Sequence, residues 1–159
     1  MIQFNPSGLL IPDTNIITSL EDFQHYFVHR IPSQTRQSIF RKYVNYSNAL
    51  KKTIKATSLK QWIDGSFATN INNPKDIDLV TFIELNKKIE FANELQDFER
   101  ETALKKYGVD AYILTVIPED HANLFLYKSD KAYWMTLFSK TKRDNYGRKC
   151  PKGFLEIHF

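Results

Sequence analysis

Trp62-Ile63-Asp64-Gly65-Ser66-Phe67-Ala68-Thr69, followed by Pro74-Lys75-Asp76-Ile77-Asp78-Leu79-Val80, decides how this chain is read. An apolar strand runs into a Gly-Ser turn, and a second strand then carries two carboxylates one residue apart. Side chains alternate across a strand, so Asp76 and Asp78 are expected on one face, with Ile77 and Leu79 turned into the core. Like charges at neighbouring same-face positions repel and destabilise an ordinary sheet. A divalent cation removes that repulsion, and hard oxygen ligands are what Mg²⁺ takes. The pattern is that of a metal site facing a phosphate site.

On the upstream side, 59–64 reads as the first strand. Before it, Ile39, Phe40, Tyr43, Tyr46, Leu50 and Ile54 recur at helical spacing, which predicts a helix opened by Pro32 and Ser33 and running to about Ala56. Ser19 suits the cap of a shorter helix through His29. Pro6, Gly8 and Pro12 predict an irregular arm over Phe4 to Asp13. On the downstream side, Asn70, Asn72, Asn73 and Pro74 form a turn into a strand over 76–83. One charged helix is expected from Asn86 to a stop at Gly108, with Ile89, Phe91, Ala92, Leu95, Phe98 and Leu104 among its apolar positions. A third strand over 109–117 follows, then a helix over about 130–139 that buries Tyr133, Trp134, Leu137 and Phe138. A polar, basic loop leads to a closing strand over 154–159. The layout is an α+β fold, a mixed sheet packed against helices, in one domain: arm and helices over 1–57, core over 58–118, and helix, loop and strand over 119–159.

Asp110 opens the third strand. Paired beside the Asp76–Val80 strand, its carboxylate joins the other two on one surface. Three convergent carboxylates can hold two Mg²⁺ (or Mn²⁺) ions about 3.5–4 Å apart, the spacing of in-line phosphoryl chemistry. Gly65 permits close backbone approach. Ser66 can offer its hydroxyl and amide to a terminal phosphate, and Thr69 is a further donor. The four histidines and Cys150 show no metal-ligand spacing, and Trp62 and Trp134 read as core residues rather than base-stacking platforms.

The 159 residues, 42% hydrophobic and 25% charged, are enough for one globular core and exclude a disordered chain. No apolar run reaches a membrane span, and Met1–Pro6 lacks the basic flank and apolar stretch of a signal peptide, so a cytoplasmic protein without membrane association is expected. The single cysteine excludes an internal disulfide and a cysteine-rich zinc site. The net charge is +4. Basic residues gather between Arg36 and Lys60 and again at Lys140, Lys142, Arg143, Arg148, Lys149 and Lys152, as solvated faces or as attraction for a nucleotide or RNA.

Gly65-Ser66 followed by Asp76-Ile77-Asp78, with Asp110 as third carboxylate, resembles the signature of the polymerase-β-type nucleotidyltransferases. The flanking Phe4–Pro12 arm, the Val-Asp-Ala-Tyr strand, the Tyr-Trp helix and Lys152-Gly153-Phe154 extend the likeness to a small bacterial family of nucleotidyltransferase-like proteins. The resemblance implies the minimal nucleotidyltransferase fold. It also implies Asp76, Asp78 and Asp110 as metal ligands, and Gly65 and Ser66 as holders of a triphosphate. Antitoxin-type members often carry an arginine soon after the Gly-Ser pair, where this chain has Phe67-Ala68-Thr69-Asn70. Arg143, Arg148, Lys149 and Lys152 are the candidates to replace it.

The reading is therefore an enzyme that moves a nucleoside monophosphate from an NTP to a hydroxyl of RNA, protein or a small molecule. The alternative is a non-catalytic nucleotide- or RNA-binding module, or an antitoxin-like protein partner in a toxin–antitoxin pair.

Overall fold

The computed structural model describes residues 2–159. Five strands form one mixed sheet: β3 (Asn15–Thr18), β4 (Lys60–Asp64), β5 (Asp78–Glu84), β6 (Asp110–Val116) and β7 (Phe154–His158), in the spatial order β3-β7-β4-β5-β6. The β3–β7 and β5–β6 pairs are parallel, while β4 runs antiparallel to both its neighbours. The expected irregular arm is instead a short ladder of β1 (Gln3–Phe4) with β2 (Leu10–Ile11), closed by a turn in which Asn5 Oδ1 accepts from the amides of Ser7 and Leu9. The β3 strand escaped the sequence reading. Its Ile16-Ile17-Thr18 run is β-branched, yet four residues between Pro12 and Ser19 are too few to show a period.

The sheet separates two cores, as period-two alternation dictates. Ile63, Leu79, Ala111, Leu155 and Ile157 face a large core under α1 (Leu20–Gln24, continued by a π-helical turn over His25–His29) and α2 (Gln34–Thr53). Trp62, Val80, Phe82, Leu114 and Phe154 face a smaller core under α5 (Leu124–Phe138). Ser19 and Ser33 cap α1 and α2 through their hydroxyls, as capping chemistry requires. On the α2 side the Gln61 amide is fully satisfied: its oxygen accepts from Tyr43 Oη at 2.9 Å, and its nitrogen donates to Thr81 Oγ1 at 3.1 Å. On the α5 side, buried Glu156 accepts from Trp62 Nε1 and Asn15 Nδ2 and pairs with Lys60, joining β7 to both its neighbours.

The long charged helix expected between Asn86 and Gly108 is in fact broken. It comprises α3 (Leu85–Glu90), a 3₁₀ segment over Glu94–Phe98 and α4 (Arg100–Tyr107). Phe91, Leu95, Phe98 and Ala103 keep to the core, but Glu99 is extended and Arg100 has φ +51°, so the helical phase is lost. Ile89 and Leu104 consequently stand exposed. The α5 helix begins at Leu124 rather than near Asp130 and packs over the face of the sheet that carries Trp62, Val80, Leu114 and Phe154. It buries Phe138, half-buries Trp134, and leaves Tyr133 and Leu137 in the open, against expectation. Among the described residues no helix is long and apolar enough to cross a membrane.

Candidate functional site

Strand register brings carboxylates abreast. Asp64 at the end of β4 lies opposite Asp78 at the start of β5, and Asp78 lies opposite Asp110 at the start of β6. All three stand on the α5 face of the sheet, in phase with Trp62, Val80 and Leu114. Asp64 is a member of this row that sequence reading passed over as an ordinary strand residue. Asp76 differs from its expected place. The strand begins at Asp78, so alternation does not orient Asp76, and hydrogen bonds from the Gly-Ser turn do so instead.

That turn needs glycine. Gly65 has φ +83°, and a Cβ there would lie 3.0 Å from the Asp78 amide nitrogen and 3.1 Å from Asp76 Oδ1. Ser66 then donates its amide (2.7 Å) and its hydroxyl (2.6 Å) to Asp76 Oδ1, while its Oγ accepts from the amides of Lys75 and Asp76. Both donors expected to meet a phosphate are thus spent on Asp76. Thr69 is similarly occupied, donating to Ser66 O at 2.7 Å.

Arg36, read from sequence as part of a basic surface, is fully buried behind this loop. Its guanidinium donates to Phe27 O, Phe67 O, Thr69 O and Ile71 O, and lies over the Phe67 ring at 5.0 Å. Through these backbone contacts Arg36 sets the loop's course.

The row of charges shapes its own titration. Burial, followed by the charges of Asp76, Asp64 and Asp110, pushes the Asp78 carboxyl up to about 7. Asp64 is raised by burial to about 6, although Lys152 beside it acts in the opposite direction. Partial burial also acts to raise Asp76, but the two Ser66 donors, with Lys142 3.8 Å from its Oδ2, more than offset this and leave it below the usual carboxylate range.

Two cavities meet at Asp78. One, about 720 Å³, is lined by Gly65, Ser66, Asp76 and Asp78 on the sheet side and by Lys140, Lys142, Arg143 and Lys149 of the basic loop. The second, about 340 Å³, is lined by Asp110, Arg100, Tyr112, Tyr133 and Trp134, and it shares Asp78 and Lys142 with the first. The structure thus brings Gly65, Ser66, Thr69, Asp76, Asp78, Arg143 and Lys152 to one cavity and Asp110 to the other. Among the described residues no three His, Cys, Asp or Glu side chains stand close enough to hold one ion, so the three carboxylates do not form the single cluster expected. Arg148 pairs with Asp144 within the loop and does not line the larger cavity.

Lys152, expected as a free cation for phosphate, is buried and ion-paired with Asp64. Breaking a buried pair leaves an uncompensated charge, but Asp64 can escape by taking up a proton. Lys152→Met is therefore expected to lower stability by about 2–3 kcal/mol at pH 8. The folded-state pKa of Asp64 lies above its ordinary value, so the native protein gains a proton relative to the unfolded chain as pH falls below about 6. Denaturant titrations at pH 8 and pH 5 should show the defect shrinking on acidification. A pH-independent loss would mean that packing alone is at stake.

Comparison with curated proteins and with solved structures gave no match. Residues 2–158 match DUF6932, a family of unknown function. The match takes in the arm, the carboxylate row, the basic loop and the closing strand together, and the chain belongs to that family.

Proposed function

We propose that the protein is a Mg²⁺-dependent nucleotidyltransferase (Mn²⁺ serving equally) on a polymerase-β-like fold, moving a nucleoside monophosphate from an NTP to a hydroxyl acceptor. The observation that carries this reading is the position of Asp78 on the wall shared by two cavities, one flanked by a Gly-Ser turn and basic residues, the other holding Asp110. A donor and an acceptor entering from opposite sides meet there.

The residues suit a hard divalent cation. Asp76 Oδ2 carries only a long contact with Lys142, and the ionised form of Asp78 is opposed by its like-charged neighbours. Mg²⁺ commonly takes one or two protein carboxylates and completes its shell with water and substrate phosphates, so Asp76 and Asp78 suffice as its protein ligands. When bound, the ion supplies charge neutralisation at the transferring phosphoryl group. The chain's own groups position the reactants. Lys140, Lys142, Arg143 and Lys149 hold the triphosphate oxygens, and Ser66 fixes one oxygen of Asp76 so that the other faces the cavity. Asp110 accepts a hydrogen bond from the acceptor hydroxyl, turns its oxygen toward the α-phosphorus and takes its proton as the new P–O bond forms and the bond to the leaving pyrophosphate breaks.

The test is label transfer. An NTP labelled at its α-phosphate should pass label to RNA, protein or a small hydroxyl compound, and chelation should stop it. If no labelled product forms from any of the four NTPs and no Mg·NTP binds, the reading fails. A second reading, a non-catalytic nucleotide- or RNA-binding module or antitoxin-like partner, draws on the lack of a common three-carboxylate cluster among the described residues and on the basic loop. It is favoured if RNA binds with steep salt dependence while the protein neither binds Mg·NTP nor passes label to any acceptor.

A further inference from the structure

We infer that the smaller cavity between β6 and α5 receives the acceptor, and that the acceptor is a terminal nucleoside of single-stranded nucleic acid, its base laid against Tyr133 and Trp134. The inference rests on the proposed transfer reaction and narrows its acceptor. The wall of this cavity is aromatic on three sides: Tyr112 and Trp134 lie 4.6 Å apart at 50°, and Tyr133 meets Trp134 at 5.4 Å. Tyr112 and Trp134 also pack against the smaller core, Trp134 meeting Phe138 at 5.5 Å, yet packing does not close the cavity side. Tyr133 is 61% exposed and Trp134 only half-buried, whereas Trp62 on the same face of the sheet is sealed in the core.

The chemistry around the rings is divided in the way a nucleotide is divided. Aromatic faces accept any base by stacking, without regard to sequence. Arg100 and Lys142 flank the cavity with positive charge suited to a backbone phosphate. Asp110 sits beside Tyr112, where a ribose hydroxyl would need an acceptor. Arg100 also holds the left-handed backbone conformation uncommon for a residue with a Cβ, φ +51°, at the foot of α4. A serine or tyrosine of a protein acceptor would use the carboxylate but would leave Arg100 without a partner. A net charge of +4 and the basic loop beside the cavity match a polyanionic chain continuing out of it.

The two tryptophans make the test direct, because Trp62 is inaccessible and Trp134 lines the cavity. The full chain is titrated with a short oligoadenylate, as RNA and as DNA, in chelator and without NTP, while tryptophan emission is followed. Heparin serves as a polyanion without bases. Stacking predicts quenching by the oligonucleotides and none by heparin, and Tyr133→Ala, a change at an exposed ring, should weaken oligonucleotide binding at least about fivefold with an unchanged melting temperature. An RNA-only or DNA-only response identifies the sugar. Three results would overturn the proposal: no quenching by either oligonucleotide, equal quenching by heparin, or wild-type affinity in Tyr133→Ala. Because neither NTP nor metal is present, failure of the transfer reaction leaves this binding intact. Loss of the binding in a protein that still labels itself would remove the acceptor assignment alone.

Discussion

Asp78→Asn should abolish nucleotidyl transfer and at the same time make the metal-free protein more stable. The two effects have one origin. Burial first, and then the charges of Asp76 two residues away and of Asp64 and Asp110 on neighbouring strands, oppose the charged form of this carboxylate unless a cation is present. On the proposed function, removing it takes away a metal ligand at the meeting point of the two cavities. Such an ion supplies several kcal/mol of transition-state stabilisation, so the expected loss of rate is a thousandfold or more, roughly. The stability gain follows from linkage. The Asp78 carboxyl titrates at about 7 when folded against 3.8 ordinarily, so between those values the folded state holds a proton that the unfolded chain has released, and stability falls as pH rises. Asparagine has no such proton. The variant and the wild type should therefore melt alike near pH 4 and diverge up to pH 8, where the variant gains about 1–2 kcal/mol, or a few degrees. Mg²⁺ should close the gap by stabilising the wild type alone. Wild-type transfer rates in Asp78→Asn, or a variant that melts lower at pH 8, would contradict this account.

Arg36→Met carries the largest expected cost in stability. The guanidinium is enclosed and serves the carbonyls of Phe27, Phe67, Thr69 and Ile71, drawn from two separate segments. Methionine fills much of the volume but supplies no donor, and each carbonyl left buried without a partner costs about 1–3 kcal/mol. Some of these groups will find water, so a net loss of about 3–5 kcal/mol is expected, which lowers the melting temperature by about 10 °C in a chain of this size. Arg36→Lys should recover only part of it, because an ammonium lacks the planar fork that reaches several acceptors at once. Hydrogen exchange of the amides over 66–71 should accelerate more than that of α2, since the arginine orders that loop. A loss below 1 kcal/mol would show that the loop holds its course unaided.

How much of this was legible beforehand depended on the range of the interactions. The strand over 60–64 showed as an apolar stretch before the Gly-Ser turn, those over 78–84 and 110–116 through β-branched and aromatic residues, and α2 through its apolar spacing. The Gly-Ser turn and the Asp-Ile-Asp segment line one cavity together. What stayed hidden was long-range. Asp64 looks like a strand terminus until register sets it opposite Asp78, and Lys152 looks like a loop cation until it is found buried against Asp64 from 88 residues away. Arg36 sits on a helix whose other basic residues read as surface, and only the tertiary fold shows that it serves a loop more than 30 residues downstream. Tyr133 and Leu137 misled in the opposite sense: with Trp134 and Phe138 they read as buried, whereas α5 buries Phe138, half-buries Trp134 and leaves the other two exposed.

The place of β7 has a consequence for how the polypeptide is made. It lies between β3 and β4, joining partners as far apart as Asn15 and Glu156, 141 residues along the chain. Until β7 pairs, β4 has an open edge and Lys60 and Trp62 lack Glu156. A chain cut short in the basic loop therefore carries an unfinished sheet with unpaired amides and a partly uncovered Trp62, the kind of surface that recruits chaperones or aggregates. A chain truncated within 140–153 should be recovered mostly in the insoluble fraction, unlike the full chain.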